Sequence, residues 1–286
     1  MHEPVTIWSQ GTRLAGDLFV PEQAQPGPVP AILLCHGWGG TKSHLNEIYP
    51  GPFLAAGFAC LTFDYRGWGE SDGKLVHLGS KPLTEPACLE ARVRVIREVV
   101  DPLDQLADIS AALDYLGGEP VVDQQRIGIW GSSYGAGLAV TTAAGDERPR
   151  ALVGQVGGYG SPRSEDFRAR AARRATQKAR GELEVAIPQG IDMAPDGGLK
   201  GTPDLAKMLR YQPRDAAAMV RIPSLIIDAE FEELVKPAEH GQAVAATIAA
   251  NAPARYETLP GTHYDIYRGL AEAATALAIA WFRAYL

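Results

Sequence analysis

An apolar strand that runs straight into Gly-x-Ser-x-Gly and then into an alanine-rich helix leaves a chain few ways to fold. Here the stretch is Ile127-Gly128-Ile129-Trp130-Gly131-Ser132-Ser133-Tyr134-Gly135-Ala136-Gly137. Strand, sharp turn and helix in that order make the context of a nucleophile elbow. Gly131 and Gly135 flank Ser133 because so tight a turn leaves no room for a Cβ two residues to either side. The turn lifts the Ser133 hydroxyl clear of the backbone and sets it at a helix N-terminus. There the Tyr134 amide can donate to an oxyanion. Ser133 is the candidate nucleophile, and its neighbour Ser132 is expected to be dispensable. A Ser/Gly-rich loop is the bland alternative; the strand before and the helix after argue against it.

The rest of the chain reads as alternating strands and helices. Val5–Trp8 and Arg13–Val20 are expected as two strands joined at Gln10-Gly11. Ala31–Cys35 and Phe58–Phe63 are short and wholly apolar, the pattern of strands covered on both faces. Leu89, Val93, Ile96 and Val100 recur at helical spacing from about Thr84 onward. Asp101-Pro102 opens a helix that Gly117-Gly118 closes. After the elbow come a strand at 151–156, a basic helix started by Ser161-Pro162 and a Gly/Pro-rich stretch at 181–203. Strands at 223–228 and 254–259 follow, then a closing helix. The alternation implies an α/β fold with a mainly parallel sheet wrapped on both faces. The chain reads as a single domain, 1–286, with residues 157–222 interrupting the alternation as a cap or lid insertion.

A formal net charge of −7 argues against a nucleic-acid footprint. No apolar run approaches a membrane span, and Met1-His2-Glu3-Pro4 starts no signal peptide, so the expectation is a cytoplasmic protein without a membrane partner. Cys35, Cys60 and Cys88 have no metal or disulfide spacing, and Cys35 and Cys60 read as buried small hydrophobes. No His/Asp/Glu cluster has metal-ligand spacing, so neither metal nor cofactor is expected. The oligomeric state stays open, a homodimer included.

Four motifs, HGWGG at 36–40, DYRGWGESDG at 64–73, GSSYG at 131–135 and GTHYD at 261–265, together resemble the α/β-hydrolase superfamily over nearly the whole chain. The chain order serine, acid, histidine agrees with it. The sequence is most similar to the serine esterase and acylhydrolase branch that includes cinnamoyl and feruloyl esterases, and to small hydrolases related to serine oligopeptidases. The resemblance implies a serine hydrolase that cleaves a small-molecule carboxylic ester through an acyl-enzyme. The alternatives are a peptidase or amidase, or a non-catalytic ligand-binding member of the fold. It also implies His263 as general base, and the backbone amides of Trp38 and Tyr134 as oxyanion donors. In this motif the His36 ring usually braces the loop, and the Asp64–Ser71 turn is structural.

The acid departs from the superfamily's usual Asp-x-x-Val-Pro. Val235 fits the valine, which puts the acid on Glu232, with Lys236 in place of the proline. Asp228 at the strand end is the alternative, and Glu230 and Glu233 lie nearby. His2, His44, His77 and His240 are expected at the surface. The seven basic residues in 163–180 read as a solvated helix face, or as a cap surface drawing a carboxylate-bearing substrate. Trp38, Tyr134 and Tyr159 are read either as pocket lining or as core.

Overall fold

The computed structural model describes residues 1–22, 27–79, 84, 88, 90–160, 163–183 and 200–286. In chain order its strands are β1 (His2–Ser9), β2 (Thr12–Phe19), β3 (Val29–Cys35), β4 (Ala59–Phe63), β5 (Lys74–His77), β6 (Val93–Ile96), β7 (Val99–Val100), β8 (Val122–Ser132), β9 (Pro149–Gln155), β10 (Thr202–Pro203), β11 (Ser224–Ala229) and β12 (Ala254–Leu259). The helices are α1 (Lys42–Asn46), α2 (Pro50–Ala55), α3 (Pro102–Gly118), α4 (Tyr134–Gly145), α5 (Glu165–Ala179), α6 (Leu205–Met208), α7 (Pro213–Ala216), α8 (Gly241–Ala249) and α9 (Ala271–Tyr285).

Eight strands form one sheet in the order β1-β2-β4-β3-β8-β9-β11-β12. The pairs β1·β2 and β2·β4 are antiparallel, and every pair from β4 to β12 is parallel. The apolar runs explain the layering. Along β3, Ala31, Leu33 and Cys35 pack with Ile109 and Leu113 of α3 and Leu138 of α4. Ile32 and Leu34, pointing the other way, pack with Phe53 of α2 and Phe282 of α9. Successive side chains of a strand feed opposite cores, so a strand covered on both faces has no polar positions to spare. Gly128 in β8 is where the Phe282 ring presses on the sheet. A Cβ there would lie 2.6 Å from the ring.

The Asp101 carboxylate caps α3 by accepting from the Leu103 and Asp104 amides, as the Asp-Pro pair predicts. The helix expected from about Thr84 does not form over the described residues. Val93–Ile96 is a strand, antiparallel to Lys74–His77, and Val99–Val100 pairs in parallel with Thr202–Pro203. Val93 and Val95 alternate with Arg92 and Arg94, a period of two in β-branched residues that outweighs the four-residue spacing. Leu89, part of the helical pattern, lies outside the described residues. The basic helix begins at Glu165, capped by the Ser164 hydroxyl; the expected start at Ser161-Pro162 also lies outside them.

Candidate active site

β8 ends in a turn that only glycines allow. A Cβ on Gly131 would lie 2.3 Å from the Gly135 carbonyl oxygen, and one on Gly135 would lie 2.3 Å from that of Cys35. Between them Ser133 adopts φ 53° and ψ −125°, a left-handed conformation that L side chains avoid. Strain of this kind costs about 1–3 kcal/mol. It persists because both backbone groups of Ser133 are held. Its amide donates to the Gln155 carbonyl at 2.9 Å, and its carbonyl accepts from the Gly158 and Ala136 amides at 3.0 Å each. Tyr134 is the first residue of α4, so its amide has no acceptor within the helix.

The His36–Trp38 segment crosses directly over the elbow. A Cβ on Gly37 would stand 3.1 Å from Ser133 Cβ. The His36 Nδ1–H donates to the Gly37 carbonyl at 3.0 Å, and the ring packs 4.3 Å from that of Tyr65. Burial pushes the His36 ring down to about 4, so it is neutral and works as a brace. The half-buried Trp38 ring meets Tyr134 edge-on at 5.4 Å. Tyr134 and Tyr159 are both buried in the core, and the Tyr134 hydroxyl donates to Gln105 of α3. The Asp64–Ser71 turn is a structural knot. The Asp64 carboxylate accepts from the Lys42 and Glu70 amides, and Arg66 makes a buried two-pronged contact with Asp108.

Glu232 and His263 follow β11 and β12, two strands parallel to β8, and so emerge at the same sheet edge as Ser133. The His263 Nδ1 lies 2.8 Å from Glu232 Oε2 and 3.0 Å from Oε1, and both side chains are buried. A carboxylate can only accept, so Nδ1 carries the hydrogen and a neutral ring keeps its lone pair on Nε2. Glu232 Oε1 is steadied by the Leu234 amide, and Glu233 Oε2 accepts from the His263 amide at 2.9 Å. Glu233 therefore holds the backbone of the residue whose ring Glu232 holds. Glu230 is exposed.

Asp228 does other work. It is fully buried at the end of β11, accepts from the Tyr256 hydroxyl at 3.1 Å, and abuts Gly241 at the N-terminus of α8. Burial, helped by the nearby Glu232 charge, pushes its carboxyl up to about 6. A raised folded pKa means that this group's stabilising share is complete below the unfolded value and is lost as pH rises through about 6. The shift corresponds to about 3 kcal/mol between the two limits. Asp228→Asn should therefore gain on the wild type as pH goes from 4 to 8, with a melting-temperature difference that widens by several degrees. Parallel curves across that range would mean that Asp228 carries no such penalty.

His240, expected at the surface, is buried, because the Tyr159 amide donates to its Nδ1 at 3.3 Å. His2, His44 and His77 are exposed. Among the basic residues at 163–180, Arg163 turns inward, donating to the Met208 and Tyr211 carbonyls and lying 4.9 Å over the Phe167 ring. Lys178 pairs with Asp204 at 3.0 Å, and Lys207 bridges to Asp101. These pairs border a cavity of about 280 Å³ between α3, α5 and α6, whose lysines, arginine and aspartates largely neutralise one another. The segment Lys200–Asp204 then runs back over the His36–Gly40 loop. A Cβ on Gly39 would lie 2.9 Å from the Lys200 carbonyl oxygen, and one on Gly201 would lie 2.4 Å from the Trp68 ring. Among the described residues no group of three or more His, Cys, Asp or Glu side chains is arranged to hold a metal, and no helix is long and apolar enough to cross a membrane.

Comparison with known proteins adds the lineage. The model for X-Pro dipeptidyl-peptidase (S15 family) matches residues 10–185, more than half of the chain, including Ser133 but neither Glu232 nor His263. An uncharacterized 31.7 kDa protein of the traX-finO intergenic region of Escherichia coli is 30% identical over 285 residues, 90% of this chain and 91% of that protein. The thiohydrolase aneE of Aspergillus aculeatus is 28% identical over 143 residues, 50% of this chain and 37% of that protein. Of solved structures, the α/β hydrolase GrgF from Penicillium sp. sh18 matches with a TM-score of 0.74 at 19% identity, covering 100% of this chain and 99% of that one.

Proposed function

The chain belongs to the X-Pro dipeptidyl-peptidase (S15) family of α/β hydrolases, and from that premise we propose that it is a serine hydrolase cleaving carboxylic esters, thioesters included, through an acyl-enzyme. The observation that carries the reading is the buried Glu232–His263 contact of 2.8 Å at the sheet edge where Ser133 sits on its strained turn. Nε2 of His263 takes the proton as Ser133 Oγ attacks the acyl carbonyl, and Glu232 stabilises the imidazolium. The Trp38 and Tyr134 amides receive the oxyanion, whose full charge exists only in the transition state. His263 returns its proton to the leaving alcohol or thiol. Water, deprotonated by the same nitrogen, then attacks the acyl-enzyme and releases the acid.

Residues 157–222 act as the cap in this reading. Its Tyr211, between α6 and α7, packs beside the elbow, the ring 5.7 Å from that of Tyr134. The family match favours a second reading, cleavage of a peptide bond after Xaa-Pro. An acyl p-nitrophenyl ester, an acyl thioester and a Xaa-Pro anilide assayed side by side separate the two. Rapid turnover of the ester or thioester, with the anilide left intact, is the expected result. Preference for the anilide would replace esterase by peptidase.

A further inference from the structure

Beside the elbow lies a buried hydrogen-bond junction that the reaction just described does not use. Ser132 Oγ, 1% exposed, is 2.7 Å from the Tyr267 hydroxyl and accepts from Gln155 Nε2 at 3.3 Å. The same Gln155 nitrogen donates to the Tyr49 hydroxyl at 2.9 Å. Four pieces of the fold thus meet at one junction, three of them at the serine oxygen and the fourth, Tyr49, through Gln155. They are the last residue of β8, the last of β9, the residue before α2, and a single 3-10 turn at Asp265–Tyr267 that follows His263. The Tyr267 ring also stands 6.0 Å from the His263 imidazole, with Tyr264 at 5.2 Å.

We propose that Tyr267 is a positioning residue, whose hydroxyl locks the histidine loop to the strand end carrying the nucleophile through Ser132. This deepens the hydrolase reading and rests on it. Glu232 and Glu233 fix His263 relative to β11, but neither bond sets its distance from β8. The Ser132–Tyr267 bond does, because Ser132 is the residue next to Ser133 and Tyr267 belongs to the turn that closes the loop. Burial raises the Tyr267 phenol far above its ordinary range, so the hydroxyl stays protonated at any working pH and the bond does not titrate. Ser132, which sequence alone marks as dispensable, becomes the other half of the device.

Loosening such a registry costs rate rather than affinity, because misplacement by an ångström can cost about 100-fold. Tyr267→Phe removes one oxygen and keeps the ring. It should lower kcat on p-nitrophenyl butyrate by about tenfold, part of that range, and leave KM within about twofold. Phosphonylation of Ser133 by a fluorophosphonate should slow by the same factor. Ser132→Ala should do likewise, and the double variant should be no worse than the poorer single one, since both cut the same link. All rates are taken well below each variant's melting temperature. Wild-type kcat and labelling rate in Tyr267→Phe, or losses that multiply in the double variant, would overturn the proposal alone. Wild-type protein that folds but is never phosphonylated at Ser133 would instead remove the hydrolase reading, and this inference with it.

Discussion

Ser133→Ala should lower turnover by about 10⁴–10⁶-fold, the range set by removing a serine nucleophile from a working triad. The folded state should be unaffected. None of the three backbone hydrogen bonds that hold residue 133 uses its side chain; they run from its amide to Gln155 and from Gly158 and Ala136 to its carbonyl. A fluorophosphonate should label the wild type at residue 133 and leave the variant unlabelled. Ser133→Gly carries the argument a step further. At φ 53° and ψ −125° a serine is strained and a glycine is not, so the glycine variant should be as inactive yet more stable by about 1 kcal/mol. The pair of variants separates the chemistry of the side chain from the strain of the backbone. If both variants keep the wild-type rate, the nucleophile lies elsewhere.

Glu232→Gln should cost on the order of 10²–10⁴ in kcat. An amide of the same shape removes the charge that stabilises the imidazolium, and its NH₂ can face Nδ1 and select the wrong tautomer. The upper limit, a change of 10⁴, corresponds to about 5.5 kcal/mol in the barrier. The lower end reflects the leaving group, because an alkoxide, phenolate or thiolate departs more readily than an amine. The defect should ease as pH rises, since hydroxide can replace a base that has lost its anchor. Asp228→Asn, whose carboxyl binds Tyr256 and abuts α8 rather than His263, should lose less than about tenfold. The check is the pH profile of turnover for both variants beside their thermal unfolding. A crippled Asp228→Asn with a near-normal Glu232→Gln would exchange the two roles.

What could be read from sequence was what depends on neighbours in the chain. The elbow, the apolar β3 and β4 and the Asp101-Pro102 helix start all carry their physics within a few residues. The 84–100 segment failed because one spacing fits two periods, and the partner strands that decide it lie at 74–77 and 202–203. Sequence left Glu232 and Asp228 as alternatives for the same reason: which carboxylate reaches the imidazole depends on how the loop after β11 folds. Tyr267 and Gln105 carried no signal, and Glu233 stood only as a carboxylate near the acid. Each acts through one bond to a residue from 29 to 135 positions away. His240 is another such case, buried by an amide 81 positions away.

The return leg at Lys200–Asp204 bears on how such an enzyme can be re-engineered. Its carbonyl at Lys200 forms the wall against which Gly39 is packed, and its Gly201 gives the Trp68 ring its seat. Its backbone is stitched to Glu98 and Val100 by amide hydrogen bonds of 2.9 and 3.0 Å. The cap proposed at 157–222 is thus not a detachable module. A chimera that takes its insertion from a relative inherits that relative's packing against Gly39 as well, and a change intended for the entrance of the site would travel to the loop lying over Ser133. Grafts that keep residues 200–204 native and join upstream of them are the ones that can vary the outer surface alone.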